Sequence, residues 1–336
     1  MEPLVFEPYL RPMVWGGRTL GESFGKALPD AGRYGESWEI SAHPLHVSRV
    51  AEGPHRGETL TDLAAAHPSA LHGAHIPADG KFPLLFKLLD CHELLSIQVH
   101  PDDDRARRLT GGREHFGKTE AWVVLSVAPG GRIFAGLKPG VTRPDVERHL
   151  AAGTLESCLH VFTPKPGDCI FLPAGTVHAV GGGVLMAEIQ QSSDATFRLY
   201  DWNRPGPDGK PRDLHIRESL ESIDWSAGPV TPAPGVPLPG LSDGVFGERL
   251  VRCAPFVLDR YQASSPFDLP ATGTLSIWLV IDGTAVLTSA SGAYQRAFRR
   301  GETVLIPASA AAPAWQPTGE GAESTVTLLA ASVPSS

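Results

Sequence analysis

Residues 167–174 are Gly-Asp-Cys-Ile-Phe-Leu-Pro-Ala, and residues 301–308 are Gly-Glu-Thr-Val-Leu-Ile-Pro-Ala. Each octet contains a glycine–acid turn, a short apolar run typical of a buried strand, and a proline that ends the run. Because the two octets match residue by residue at an offset of 134, we expect a structural repeat. At this offset His178 corresponds to Ala312, so the first half keeps a histidine that the second half lacks.

Short apolar segments recur on both sides of these octets. They cover 84–89, 94–99, 121–127, 133–137, 169–172 and 184–190, then 274–281, 284–288, 303–306 and 325–330. With 36 glycines and 31 prolines among 336 residues, this pattern predicts a mainly β fold. Asp282-Gly283 between two apolar runs predicts a hairpin. Helices are expected at 58–66, 143–152 and 213–223, the last with Asp213 as its N-cap.

A proline-rich segment marks the clearest domain boundary. Residues 226–240 contain five prolines, which favour an extended and semi-rigid connector. The sequence therefore predicts one domain at 1–225, a linker at 226–240 and a second domain at 241–336.

Charge and composition exclude several classes of protein. The net charge of −8 gives no electrostatic footprint for nucleic acid or an anionic membrane, and no apolar run reaches the roughly 18 residues that span a bilayer. The N-terminus has no signal-peptide pattern, and the four cysteines include no Cys-x-x-Cys pair. We expect a cytoplasmic protein without nucleic-acid or membrane partners, and the sequence predicts no particular oligomeric state.

The segment 94–101, Leu-Leu-Ser-Ile-Gln-Val-His-Pro, alternates between apolar and polar residues. Successive strand side chains point to opposite faces, so Ser96, Gln98 and His100 share the face opposite the core. Pro101 ends the strand and places His100 at its rim. A solvated edge strand is the alternative interpretation.

Two further candidates also lie at strand ends. Glu120 begins a strongly apolar strand, where alone it would be interpreted as a charge that discourages edge pairing. His178 follows the Pro173-Ala174-Gly175 turn, where a single histidine is usually structural. Together, two imidazoles and a carboxylate form a common catalytic zinc set. The same donors form the facial triad of non-haem iron oxygenases, so ligand type alone does not choose the metal. Surface or capping roles are expected for the other eleven histidines.

Arg198 lies in the segment Thr-Phe-Arg-Leu-Tyr that begins at residue 196. Its guanidinium could stabilise a developing oxyanion or bind a phosphate with two hydrogen bonds. A surface ion pair is the alternative role.

These segments together resemble the type I mannose-6-phosphate isomerases, in the short bacterial form built on cupin barrels. The matching stretches are Trp15-Gly16-Gly17, Glu36-Ser37-Trp38-Glu39-Ile40-Ser41, Pro83-Leu84-Leu85-Phe86-Lys87, residues 95–102, Gly117-Lys118-Thr119-Glu120, residues 171–178, residues 188–194 and Arg198-Leu199-Tyr200-Asp201. The resemblance covers residues 11–225 and is weak beyond the linker.

The resemblance implies two cupin-type jelly-roll barrels (a bicupin) with a few short helices. Residues 1–225 would form the metal-binding catalytic domain and residues 241–336 a metal-free cupin-like domain. It also implies one zinc ion per chain, although other divalent metals are possible. The positions that correspond to the family's site residues are the metal ligands Gln98, His100, Glu120 and His178, the catalytic residues Arg198, Lys118 and Glu188, and the substrate-binding residues Ser96 and Lys87.

The implied activity is the interconversion of mannose 6-phosphate and fructose 6-phosphate through a cis-enediol(ate). Glu188 is a candidate for the base, and Lys118 or a metal-bound water is the competing choice. Two alternatives remain open at this point, a cupin Fe(II) oxygenase and a non-catalytic sugar-binding bicupin. Gln98 and the cations Lys118 and Arg198 count against the oxygenase. The complete ligand set counts against a non-catalytic protein.

Overall fold

The computed structural model describes residues 1–77, 80–206, 209–269, 272–311, 313–319 and 325–334. The strands of the first part are β1 (Tyr9–Gly17), β2 (Tyr34–Ile40), β3 (Ala42–His43), β4 (His46–Val47), β5 (Leu84–Cys91), β6 (Ile97–Val99), β7 (Glu120–Val127), β8 (Arg132–Leu137), β9 (Leu159–Phe162), β10 (Cys169–Leu172), β11 (His178–Gly181), β12 (Val184–Gln191) and β13 (Phe197–Tyr200). Those of the second part are β14 (Val236–Pro237), β15 (Val245–Arg252), β16 (Val257–Ala263), β17 (Phe267–Asp268), β18 (Ser276–Asp282), β19 (Thr284–Thr288), β20 (Gln295–Arg299), β21 (Thr303–Ile306), β22 (Ala314–Thr318) and β23 (Val326–Ser332).

The helices are short. They are α1 (Thr19–Phe24), α2 (Leu60–Ala66), α3 (Pro68–His72), α4 (Asp103–Leu109), α5 (Arg143–Ala152) and α6 (Ile216–Ser222), with a 3₁₀ turn at Leu155–Cys158. The prediction of a mainly β fold with few helices is confirmed. Among the described residues, no helix combines the length and the apolar character needed to cross a membrane.

Four larger antiparallel sheets contain nearly all of these strands. Sheet I has the order β1-β2-β5-β12-β7-β10, and sheet II has the order β13-β6-β11-β8-β9. Sheet III has the order β14-β15-β16-β23-β18-β21, and sheet IV has the order β17-β22-β19-β20. The strands β3 and β4 form a separate two-stranded ribbon.

The strand orders support the repeat that the octets predict. Sheets I and III match position by position, and the octet strands β10 and β21 occupy the same edge of their sheets. Sheet IV matches the β6-β11-β8-β9 part of sheet II. Ala312, the position that the offset aligns with His178, lies outside the described residues.

The sheets stack in the order II, I, III, IV. Trp122 and Met186 of sheet I pack against Val180 of sheet II, and Trp278 of sheet III packs in one cluster with Trp315 of sheet IV. The opposite faces of sheets I and III share a third core cluster. Because side chains alternate across a strand, a sheet buried on both faces needs near-continuous apolar strands. In β5 and β12 nearly every residue is accordingly buried.

Two local predictions are wrong. Asp282-Gly283 does not form a hairpin, since β18 pairs within sheet III and β19 within sheet IV. The turn therefore carries the chain from one layer to the next, with Gly283 at a φ of 75°. The last helix begins at Ile216 rather than at residue 213, and Asp213 is not its cap.

In two other segments the strand structure differs from what the sequence patterns indicate. Of the residues 94–99, only Ile97–Val99 form a strand. The proline-rich segment contains the short strand β14, which pairs with Glu248 and Arg249.

Candidate active site

The nine predicted site residues lie together at one end of the space between sheets I and II. An open cavity of about 200 Å³ is lined by six of them, namely Lys87, Ser96, Gln98, Lys118, Glu188 and Arg198. The other three, His100, Glu120 and His178, are buried next to Lys118 and Gln98. Six different strands and their ends supply these residues, so their proximity depends on the packing of the two sheets.

The two histidines and the glutamate form a compact buried cluster. His100 Nε2 lies 3.6 Å from Glu120 Oε2, and His178 Nε2 lies 3.4 Å from Glu120 Oε1. The three potential ligand atoms all fall within 4.8 Å of one another. Strand register helps to bring the three residues together. His178 on β11 pairs with Gln98 on β6, two residues before His100, and Glu120 on β7 pairs with Leu172 of β10, which ends shortly before His178.

Backbone carbonyl groups fix the tautomers of both imidazoles. His100 Nδ1 donates to the Ala195 carbonyl at 2.8 Å, and His178 Nδ1 donates to the Thr176 carbonyl at 2.9 Å. Each Nε2 therefore presents a lone pair towards Glu120, an arrangement common for histidines that ligate metals.

The donor set fits a divalent cation. Glu120 is fully buried, and its Oε1 has no hydrogen-bond partner among the described residues. Lys118 pairs with the other carboxylate oxygen, Oε2, so Oε1 and the Nε2 lone pair of His178 face each other without a cation between them, and a buried polar atom without a partner is costly. Two imidazoles and one carboxylate are a common ligand set for zinc and other first-row metals. This cluster could therefore hold a metal ion.

The side chain of Gln98 borders the same cluster. Its Nε2 lies 3.3 Å from His178 Nε2, and its Oε1 accepts a hydrogen bond of 3.2 Å from the Ser96 hydroxyl. The amide thus adds a further polar group on the side of the cluster that faces the cavity.

Burial shifts the pKa values of the two imidazoles in the direction that metal binding requires. Burial, followed by repulsion from Lys118, lowers the pKa of His178 to about 4 and that of His100 well below its usual range. Both imidazoles are consequently neutral at pH 7. Burial raises the pKa of Glu120, and a bound cation would favour its ionised form.

A network of alternating charges lines the wall beside the cluster. Lys118 forms an ion pair with Glu120, and its Nζ lies 3.0 Å from His100 Nε2. Lys87 Nζ lies 3.2 Å from Glu188 Oε1, and the Trp122 indole donates to Glu188 Oε2 at 3.0 Å.

The lysines determine the ionisation of Glu188. Burial alone would raise the pKa of Glu188, but Lys118 and Lys87 outweigh it, so the net shift is downward. In turn, burial lowers the pKa of Lys87, but Glu188 and Glu36 outweigh that effect and raise it. The cavity therefore contains an ionised carboxylate and an ammonium group at neutral pH.

Arg198 projects from β13 into the opposite side of the cavity. Its Nε donates to Ser96 Oγ at 3.2 Å and its Nη1 donates to the Asp213 carbonyl at 3.0 Å. Within the part of the chain that the structure describes, these two contacts hold the guanidinium, which leaves its other N–H groups available to a ligand. This contact with Ser96 connects Arg198, through Gln98, to the metal-ligand cluster.

Several cavity residues were not predicted from the sequence. They are Arg11, Glu36, Asp194 and Arg212, with Trp38 packed beneath Lys87. Glu36 accepts a 2.6 Å hydrogen bond from the Trp38 indole and lies 3.4 Å from Arg11. The sequence of β2 could have indicated Glu36, because it carries charged residues within a run that otherwise has the composition of a strand. In the structure all seven residues of β2 are buried. Arg212 follows a loop and carries no comparable signal.

The surface role expected of the remaining histidines is wrong for two of them. His43 is buried, with its Nε2 3.3 Å from Glu114. His72 is buried against Phe82, and neither of its ring nitrogens has a hydrogen-bond partner among the described residues. Both lie in a segment whose loop-rich composition gave no indication of burial.

Comparison with known proteins identifies relatives of this chain. The family described as "Phosphomannose isomerase type I, catalytic domain" matches residues 5–119, a range that includes Gln98 and His100. Mannose-6-phosphate isomerase ManA of Bacillus subtilis is 34% identical over 306 residues, covering 91% of this chain and 93% of the relative. The mannose-6-phosphate isomerase of Streptococcus mutans is also 34% identical over 306 residues, covering 91% and 92%.

A solved structure agrees over the full length. The crystal structure of the mannose 6-phosphate isomerase from Bacillus subtilis superposes with a TM-score of 0.87 at 29% identity, covering 98% of this chain and 99% of that one. Sequence and fold thus agree across both halves of the molecule. The chain belongs to the type I phosphomannose isomerase family.

Proposed function

We propose that this chain is an aldose–ketose isomerase that interconverts mannose 6-phosphate and fructose 6-phosphate. The observation that carries the proposal is the buried His100–Glu120–His178 cluster beside a cavity lined by cationic side chains. Five basic side chains line that cavity against three acidic ones, a balance that suits a sugar phosphate. The names of the relatives state the same reaction for those proteins.

We propose that Gln98, His100, Glu120 and His178 together hold one Zn²⁺ per chain. Other divalent cations suit the same donors, and the metal would be settled by its content in purified protein. When bound, the cation would act as a Lewis acid that stabilises negative charge on the sugar oxygens.

The reaction requires a proton to move between C1 and C2 of the open-chain sugar through a cis-enediol(ate). Glu188 is proposed as the base because its pKa is lowered and its carboxylate faces the cavity. Lys118 lines the same wall and is the competing proton carrier. Lys87 would keep Glu188 ionised and contact the substrate.

Arg198 would stabilise the negative charge that develops on the enediolate. Preorganised donors aimed at developing charge make a large contribution to catalysis, and Arg198 is held in place by Ser96 and the Asp213 carbonyl. Ser96 would therefore act both on the substrate and on the orientation of the guanidinium.

The domain organisation that we propose follows the repeat. Sheets I and II, within residues 1–225, would form the catalytic cupin barrel, and sheets III and IV, within 241–336, a metal-free cupin-like barrel. The shared strand order supports this division. Residues 226–336 contain no histidine, which is consistent with a metal site in the first barrel alone.

The direct test is a coupled isomerase assay on purified protein. We expect zinc-loaded protein to convert mannose 6-phosphate to fructose 6-phosphate, and to convert free mannose much more slowly because free mannose lacks the phosphate. Metal-loaded, folded protein that leaves mannose 6-phosphate unchanged would contradict the proposal.

A further inference from the structure

The second half of the molecule contains a cavity at the position that corresponds to the first one. It has a volume of about 420 Å³, roughly twice that of the catalytic cavity, and lies at one end of the inner face of sheet III. Among its lining residues are Arg249, Asp259, Tyr261, Ser276 and Trp278.

Strand register gives the correspondence between the two cavities. Leu172 and Ile306, equivalent positions of the two octets, pair with Glu120 and Ser276 respectively. Two residues further along β7 and β18, Trp122 and Trp278 are equivalent.

The partners of these tryptophans extend the correspondence. Trp122 pairs with Glu188, whereas Trp278 pairs with Ala330. Glu188 pairs with Lys87, whereas Ala330 pairs with Asp259. The second cavity therefore corresponds to the catalytic cavity. Ser276, Ala330 and Asp259 occupy the positions of Glu120, Glu188 and Lys87.

These replacements remove the candidate metal ligand and base but leave a cavity lined by polar and aromatic side chains. Ser276 stands at the position of Glu120, and residues 226–336 contain no histidine, so this half lacks the imidazole donors and the carboxylate equivalent to Glu120. The room is larger than in the catalytic cavity, and so it is sufficient for a ligand of the same size.

The polar groups that line this cavity are balanced in charge. Two basic side chains, Arg249 and Arg252, face two acidic ones, Asp259 and Asp268. Arg249 donates to both carboxylate oxygens of Asp259, at 2.9 and 3.1 Å. The Arg249 side chain is 34% exposed, so its guanidinium retains free donors, whereas the Asp259 side chain is only 12% exposed and offers the edge of its carboxylate as an acceptor.

A hydroxyl group matches this pair better than a phosphate does. A hydroxyl both donates and accepts, so neighbouring hydroxyls on a ring can contact the guanidinium and the carboxylate together. A phosphate dianion only accepts and would be repelled by Asp259 and Asp268. The Tyr261 and Trp278 rings, with centroids 5.3 Å apart, are nearly buried and form the apolar floor of the cavity.

We propose that this second cavity binds a neutral hexopyranose without converting it. Asp268 adds an exposed carboxylate that has no side-chain partner among the described residues, and the Tyr261 hydroxyl likewise makes no hydrogen bond there. The proposal is independent of the reaction at the first site, since none of these residues lines the catalytic cavity.

The test uses saturation-transfer NMR on the full-length protein. The probes are the methyl α-pyranosides of mannose, glucose and galactose at millimolar concentration, because a blocked anomeric carbon prevents isomerisation. We expect transfer to at least one of them, and we expect it to persist when mannose 6-phosphate saturates the catalytic cavity. No transfer to any probe would overturn the proposal, and so would complete displacement by mannose 6-phosphate.

Two variants locate the binding. Ser332→Leu fills the cavity and should weaken binding by at least about tenfold. Asp268→Ala removes an exposed acceptor without breaking a side-chain contact, so it should fold normally and bind several-fold more weakly. Both should retain wild-type isomerase activity, which reports folding. Undiminished binding in an active Asp268→Ala protein and in an active Ser332→Leu protein would overturn the assignment.

Discussion

At the scale of single residues, the contacts of Arg198 determine what a substitution should do. Its Nε and Nη1 are both used to hold the side chain, at Ser96 and at the Asp213 carbonyl. A lysine keeps the charge but cannot make both contacts and still present donors to a ligand.

We therefore expect Arg198→Lys to lower kcat by roughly 100-fold, the effect typical of removing a donor from developing charge, with a smaller change in KM. Steady-state kinetics with mannose 6-phosphate would measure this. Arg217→Lys, on the exposed surface, is the matched control and should behave as wild type. Equal rates for the two variants would argue against a catalytic role for Arg198.

The ionisation of Glu188 gives a second prediction at this scale. Lys118 and Lys87 lower the pKa of this carboxylate despite its burial. Because a base works only when ionised, activity should be lost as the pH falls through that lowered pKa. Replacing Lys87 with Met removes one of the cations and so raises the pKa of Glu188.

The acid limb of the kcat/KM profile should accordingly move to higher pH in Lys87→Met. The position of the limb is the relevant measurement, since loss of a substrate contact lowers the rate at every pH. A limb that stays in place while the rate falls would show that Glu188 is not the group that titrates.

At the scale of elements, the turn before β11 determines where His178 lies. Gly175 has a φ of 90°, and a Cβ added there would lie 3.0 Å from the backbone nitrogen of Asp224. The turn also donates from the Gly175 amide to the His100 carbonyl at 2.8 Å. A change in this turn therefore affects two members of the cluster.

We expect Gly175→Ala to destabilise the protein by more than the 1–2 kcal/mol typical of a left-handed residue, and to weaken metal binding. Gly140→Ala is the control, because Gly140 has a φ of 79° and open space around its Cα. Thermal unfolding and metal titration would compare them. Identical melting temperatures and metal affinities would contradict the crowding argument.

Some of the strands, turns and candidate site residues could be predicted from the sequence, and others could not. Apolar runs such as 169–172 and 184–190 identified strands because burial on both faces requires them. The Asp282-Gly283 turn was identified, but its partner sheets were not, since a turn does not determine which strands will pair. The candidate ligands His100, Glu120 and His178 were predicted from their positions at strand ends, and Gln98 from the resemblance. Glu36 was missed because its proximity to Lys87 depends on the pairing of β2 with β5, and Arg212 because it follows a loop.

At the scale of the whole molecule, sheets I and III join the two halves through one apolar cluster. Leu279 and Leu329 of sheet III are fully buried there with Phe86 and Leu185 of sheet I. A hydrophobic interface of this kind should make the halves unfold together.

We expect calorimetry to show one cooperative transition in which isomerase activity is lost with the heat absorption. Leu329→Ala should lower its midpoint, at a cost of about 2–5 kcal/mol for a buried leucine. Two separate wild-type transitions, with activity following only one, would contradict coupling across this interface.

The central claim is that His100, Glu120 and His178 form the metal site on which isomerisation depends, and one experiment tests it directly. Metal content and mannose 6-phosphate isomerisation would be measured on the same samples of wild type, His178→Ala and His75→Ala, the last altering an exposed histidine that is not part of the cluster. We predict about one divalent ion per chain and full activity in wild type and His75→Ala, with both strongly reduced in His178→Ala. Chelation should abolish the wild-type activity and added zinc should restore it. Full isomerase activity in metal-free wild type, or full metal content and activity in His178→Ala, would contradict the claim.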